Sequence, residues 1–203
     1  MVMMSNEMKP GEGVREKKRR EMRRRITEAG LKLFAENGYT NTTLDAIAEA
    51  AGIARRTFFH YFRAKEDIIL AWQQAQPDDL YAEILRQDEK LAPIAVIQTA
   101  IMTLAVNLRP DIAGLISGIV QTNERLQAGN QAKFVEMELA AYKALRERWP
   151  AEERQTGLRL AAIVAVGTMR LAIDQWIAEG YNRALAEHLN ENFHLLRSEL
   201  QNM

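Results

Sequence analysis

The segment from Thr43 to Lys65 confines the fold more tightly than any other part of the chain. Leu44, Ile47, Ala48 and Ala51 recur at i, i+3, i+4 and i+7, the apolar stripe of a short helix, and Thr43 stands just before it where an N-cap belongs. Gly52 ends that helix, because glycine takes positive φ without a Cβ penalty, and a second short helix, Ala54 to Phe62, starts almost at once. Two short helices joined by so sharp a turn have helix-turn-helix spacing. In the second helix Phe58 and Phe62 are four apart and pack inward with Ile53, which leaves Arg55, Arg56, Phe59 and His60 on an outer face.

Two arginines on an exposed helix face are ordinary when taken alone. Here they share a nine-residue segment with four aromatic residues, and rings exposed beside guanidinium groups form a surface that calls for a cover. Major-groove base edges and phosphates would supply one.

The run AGIARRTFFHYFRAKE, Ala51 to Glu66, resembles the DNA-binding segment of the TetR family of transcriptional regulators: an Ala-Gly turn, an aliphatic, a small and a basic residue, an aromatic, a YF pair and Lys-Glu. With the helix before it, the resemblance covers about fifty residues. It implies phosphate contacts from Thr43, Tyr61 and Lys65 and base contacts from Arg55, Arg56 and Thr57, with Phe59 and His60 on the same face. Three residues depart from the family pattern. Ala54 replaces the usual Ser and removes a cap, Arg56 stands where Gly is frequent, and Phe59 lacks the hydroxyl of the usual Tyr.

Net charge is zero, yet the charge is unevenly spread. Residues 1–65 hold 14 Lys or Arg against 8 Asp or Glu, and residues 66–203 hold 13 against 19. A basic module joined to an acidic remainder is the footprint of a nucleic-acid binder. Arg15 to Arg25 carries eight of those cations in eleven positions, and Arg15, Lys17, Lys18, Arg19, Arg20, Arg23 and Arg24 form a candidate basic arm along phosphates or in a minor groove. The other reading of the run is a solvated, partly helical tail.

Residues 1–13, with Pro10, Gly11 and Gly13, are expected to be a disordered tail, 14–65 the DNA-binding domain with its arm, and 66–203 a helical ligand-binding and dimerisation domain. Prolines at 77, 93, 110 and 150 punctuate one helix after another, and no stretch alternates like a strand, so the fold class is all-α. Leu158 to Ala178 is apolar nearly all round, with Ala165 and Gly167 among its small residues, and is expected to pack partly on a partner. With Ala184 to Leu200 it resembles the helix pair by which TetR-family dimers associate, and a homodimer suits a near-palindromic operator. No run reads as approaching the roughly 20 apolar residues of a membrane span, and there are no cysteines, so a cytoplasmic protein away from membranes is expected.

Catalytic and metal-binding candidates are absent: His60, His188 and His194 are not spaced as a ligand pair, and no HExxH, phosphate loop or GxSxG occurs. No cofactor is expected. The family resemblance implies instead a small-molecule effector in the C-terminal helices. Candidate apolar lining is Leu104, Leu108, Ile119, Met137, Met169 and Trp176, and candidate polar anchors are Asn107, Asn123, Arg125, Tyr142 and Arg170. Apolar stripes at helical spacing usually fill a core, so most of these residues have a packing role as the simpler reading. The stretch from Leu115 to Gly180 is similar in layout to TetR-type regulators with an acyl-CoA-like ligand domain, which ranks acyl-CoA or another apolar acid first. A ligand-released repressor and a DNA-binding dimer with no ligand both remain open, and a pocket of roughly 300 Å³ or more favours the first.

Overall fold

The computed structural model describes residues 13–106 and 108–201, and among them nine α-helices and no strand. They are α1 (Val14–Asn37), α2 (Leu44–Ala50), α3 (Arg55–Tyr61), α4 (Glu66–Arg86), α5 (Pro93–Val106), α6 (Pro110–Gln121), α7 (Glu124–Arg148), α8 (Gln155–Ala178) and α9 (Leu185–Gln201), with a 3-10 turn at Glu152–Arg154. The expected all-α class holds. The expected tail lies outside the described residues except for Gly13, the N-cap of α1.

Packing divides the chain into two units, and the division does not fall at residue 65. Residues up to Ala75 join Asp111–Asn130 in the first unit, while 76–110 and the residues from 131 onward form the second, so α4 and α7 contribute to both.

In the first unit Ile26 and Phe34 of α1, Ile47 and Ala48 of α2, Phe58 of α3, Phe62 and Ile68 are buried in one cluster with Ile116 and Val120 of α6 and Leu126 of α7. This explains the shifted boundary: α6 carries an apolar stripe that the three N-terminal helices cover. Thr43 caps α2 by accepting from the Ala46 N–H at 3.1 Å. Gly52 turns the chain at φ 62°, and the Ile53 N–H then bonds back to Ala48 O at 3.0 Å. α3 starts at Ala54 without a side-chain cap, as the loss of Ser predicts. Close packing sets two more positions. A Cβ on Gly30 would lie 3.0 Å from Ile68, and one on Gly129 would lie 2.7 Å from Leu70.

The second unit is built on α8, whose buried residues Leu158, Ala162, Ala165, Val166, Met169, Ala172 and Trp176 form a single stripe. Val96, Ile97 and Ala100 of α5 and Leu185, Leu189 and Phe193 of α9 are buried in the same unit. Gly180 and Tyr181, at φ 68° and 64°, turn α8 into α9, and the Trp176 indole closes the corner by donating to Arg183 O at 2.7 Å. Arg148 caps α4, donating to Ile84 O, Gln87 O and Asp88 O.

Residues 152–178 include an 18-residue stretch with a mean hydropathy of 1.5, long and apolar enough to cross a membrane by length and composition, which corrects the expectation that no run approaches that length. The stripe just described packs inside the unit.

Candidate nucleic-acid interface

α3 presents two contrasting sides. Phe58 is buried and Phe62, its C-cap, is 1% exposed, while Arg55, Arg56 and His60 are exposed and Phe59 is 42% exposed. The aromatic pairs Phe58–Phe59 and His60–Tyr61 meet edge to face at 5.7 and 5.3 Å. Apolar residues at positions 58 and 62 therefore anchor a helix whose other side holds cations and rings, the chemistry that base edges and phosphates take up.

The Arg55 guanidinium donates to Asp45 Oδ2 at 2.8 Å and stands 5.6 Å from the Phe59 ring centroid. Thr57 and Tyr61 are half-buried at the sides of the helix. Thr43 uses its oxygen as a cap and keeps its hydroxyl proton for a further acceptor. Lys65 donates to Tyr39 O at 2.5 Å and Thr40 O at 3.3 Å, so two of its three N–H groups tie down the loop after α1. The Tyr39 hydroxyl in turn donates to Glu66, and burial together with that carboxylate pushes the phenol pKa well up.

The run Arg15–Arg25, expected as an arm, is the first part of α1. Within it Lys17 and Arg24 each lie 4.0 Å from a glutamate one turn on, Arg23 stands 5.3 Å over the Phe62 ring, and Arg15, Lys18 and Arg19 are exposed. Arg20 is half-buried. Helical continuation from the apolar part of α1 costs little here, since Arg and Lys are good helix formers and glutamates one turn away relieve the charge.

The ligand-pocket candidates are divided between the two units. Ile119 packs on the core of the first unit, Asn123 accepts from the Leu126 N–H at 3.1 Å as the cap of α7, and Arg125 donates to Asp67 at 2.9 Å. Asn107 lies outside the described residues. In the second unit Leu104 and Leu108 are half-buried, and Met137, Met169 and Trp176 are buried. Tyr142 donates to Gln155 at 3.2 Å, and the guanidinium groups of Arg146 and Arg159 stand 5.7 and 5.4 Å from its ring centroid.

Arg170 borders a cleft of about 320 Å³ between α7 and α8, lined also by Gln131, Phe134, Val135, Glu138, Val166 and Gly167. Its guanidinium stands 5.4 Å from the Phe134 ring, and the Lys133 ammonium stands 4.3 Å from the same ring. Lys133 is 8% exposed, and burial lowers its pKa to about 8 against an opposing pull from Asp174. Sequence reading missed Lys133 because a lysine in a polar run, GNQAKF, reads as solvated. Among the described residues no group of three His, Asp or Glu could hold a metal ion.

Residues 26–72 match the family described as bacterial regulatory proteins, tetR family. The helix-turn-helix segment is thus similar to the DNA-binding domain of that family. Over 60 residues it is 42% identical to the transcriptional regulator TcmR of Streptomyces glaucescens, a match spanning 30% of this chain and 26% of that protein. The first curated relatives are thus matched over less than half of their length, up to 41% for the third. The fatty acid metabolism regulator protein of Bacillus subtilis is 25% identical over 196 residues, 92% of this chain and 99% of the relative. Among solved structures, Thermus thermophilus FadR, a TetR-family transcriptional repressor in complex with lauroyl-CoA, superposes with a TM-score of 0.59 at 25% identity, covering 86% of this chain and 92% of that one. Similarity of fold to FadR extends over 86% of the chain, well beyond residues 26–72.

Proposed function

We propose that this chain is a DNA-binding transcriptional regulator, a ligand-released repressor that acts in the cytoplasm as a homodimer on a near-palindromic operator. The observation that carries the reading is the face of α3, where Arg55, Arg56, Phe59 and His60 are exposed on a helix anchored from behind by Phe58 and Phe62. Arg55, Arg56 and Thr57 contact bases. Thr43, Tyr61, Lys65 and the exposed cations of the first turns of α1 contact phosphates, which adds affinity without sequence information.

A homodimer is supported by the aliphatic residues left exposed on the last two helices, Leu160, Ile163 and Leu171 of α8 and Leu195 and Leu200 of α9. An acyl-CoA or another apolar acid as effector is supported by the relative named for fatty acid metabolism and by the lauroyl-CoA complex of FadR. Lys133 and Arg170 beside Phe134 would suit an acidic group. One observation favours the reading without a ligand: Met137, Met169 and Trp176 are buried, and the Trp176 N–H is already satisfied.

The test is a gel-shift titration of duplexes selected from a random-sequence library, at fixed salt, with and without lauroyl-CoA. Tight binding to a two-fold motif is expected, with a loss of about 1–3 kcal/mol in Arg56→Ala. Release by lauroyl-CoA over a hundredfold range of affinity requires about 2.7 kcal/mol of coupling. No selected motif overturns the regulator reading. A motif whose binding ignores lauroyl-CoA overturns the acyl-CoA effector alone.

A further inference from the structure

We infer that Asp45 is a specificity-determining residue, a positioning carboxylate that fixes the Arg55 guanidinium and thereby sharpens the base preference of that arginine. The inference rests on the DNA-binding reading above. Asp45 lies in the first turn of α2 and Arg55 opens α3, so their 2.8 Å hydrogen bond crosses from one helix of the motif to the other. On its second side the guanidinium stands 5.6 Å from the Phe59 ring centroid, and Phe59 is in turn set edge-on, at 87°, against the buried ring of Phe58. Arg55 is therefore held by a carboxylate and by a ring that is itself held.

Arginine has five N–H donors in a planar fork. The bond from Nη1 to Asp45 leaves one Nη1 hydrogen and both Nη2 hydrogens, enough to match O6 and N7 of a guanine. An unbraced arginine can swing to neighbouring base edges or phosphates and loses rotamer freedom when it settles, whereas a braced one arrives ordered. The adjacent Arg56 is exposed, and among the described residues no carboxylate holds it. The two arginines are thus unequal readers.

The pair contributes little as an ion pair, because its side chains are 67% and 58% exposed. A carboxylate facing phosphates also weakens attraction to every DNA sequence equally. A group that lowers all binding while ordering one reader acts on the difference between sequences. The competing account is that Asp45 only favours the N-terminal turn of α2. That account predicts a change in stability and none in base preference.

The experiment uses the full chain and selection from a random-sequence duplex library at fixed salt, with the parent, Asp45→Asn, Asp45→Ala, Arg55→Ala and the Asp45→Asn/Arg55→Ala double variant, each checked by thermal melting. Arg55→Ala is expected to lose the preference at one base pair of each half-site. Either Asp45 variant is expected to relax that same base pair, to leave the position read by Arg56 unchanged, and to raise affinity for a scrambled duplex. The ratio of specific to scrambled affinity should fall about tenfold. In the double variant the Asp45 change should add nothing to the loss from Arg55→Ala. A parent motif that both Asp45 variants reproduce at every position, with an unchanged ratio, overturns the inference alone. A parent that selects no motif overturns the DNA-binding reading and this inference with it.

Discussion

Arg125, in the first turn of α7, donates a hydrogen bond of 2.9 Å to Asp67, in the first turn of α4, 58 positions earlier. The same carboxylate accepts from the Arg63 and Ala64 N–H groups at 2.9 and 3.2 Å, so it fixes the turn that follows α3. Burial pushes the Asp67 pKa up, but those two N–H groups and the Arg125 guanidinium outweigh it and hold the carboxyl below its ordinary value.

Asp67→Ala is therefore expected to destabilise the chain by about 1–2 kcal/mol at neutral pH, mostly through the two lost hydrogen bonds to the preceding turn. A carboxylate with a lowered folded pKa stabilises above the unfolded value of about 4, and this contribution is lost as pH falls through the folded pKa. Urea unfolding of parent and variant should converge in acid and stay separated from about pH 5 upward. Arg125→Ala should cost only a few tenths of a kcal/mol, because its side chain is 68% exposed.

Capping predicts a pair of opposite effects around the turn. Thr43→Ala removes the acceptor for the Ala46 N–H and is expected to cost about 1 kcal/mol. Ala54→Ser places a hydroxyl at an extended residue, φ −68° and ψ 148°, directly before α3, and is expected to add about 0.5–1 kcal/mol. Thermal melting of both variants tests the signs.

Lys133 offers an alkaline test. Its folded pKa is lowered to about 8 from an ordinary 10.5, so between those values the unfolded chain binds a proton that the folded chain does not. Stability conferred at this site consequently rises with pH across that window, by up to about 3 kcal/mol, where most proteins weaken. Lys133→Met should be more stable than the parent at pH 7 and lose that advantage by pH 10. Denaturant titrations at the two pH values measure it, and an advantage that persists at pH 10 would contradict the burial account.

The outer side of α8 predicts how the proposed dimer fails. Leu171→Glu, at a residue 52% exposed in its own chain, is expected to give a folded monomer in sedimentation and a normal helical spectrum. Ala165→Glu should instead unfold the chain, since Ala165 is fully buried within its own unit, whereas a side chain at Gly167 meets open space. A dimeric Leu171→Glu would move the interface elsewhere.

Local chemistry made the helix-turn-helix legible in the sequence. A cap at Thr43, a glycine at 52 and rings four apart at 58 and 62 act within a few residues, and each behaves as its spacing requires. The order of the helices was legible for the same reason, because prolines and apolar periodicity are local signals. What covers an apolar stripe is not local. Ile119, Asn123 and Arg125 read as part of a ligand domain, yet α6 and the start of α7 pack with the N-terminal helices, because a stripe states which side is buried and not against what. The basic run is helical because α1 propagates through it, and Ala165 faces inward while Gly167 two residues later does not, a distinction that depends on where α8 meets its neighbours. The Asp45–Arg55 pair and the burial of Lys133 belong to the same class. Both arise where separate segments come within hydrogen-bonding or packing distance, and only the tertiary fold brings them there.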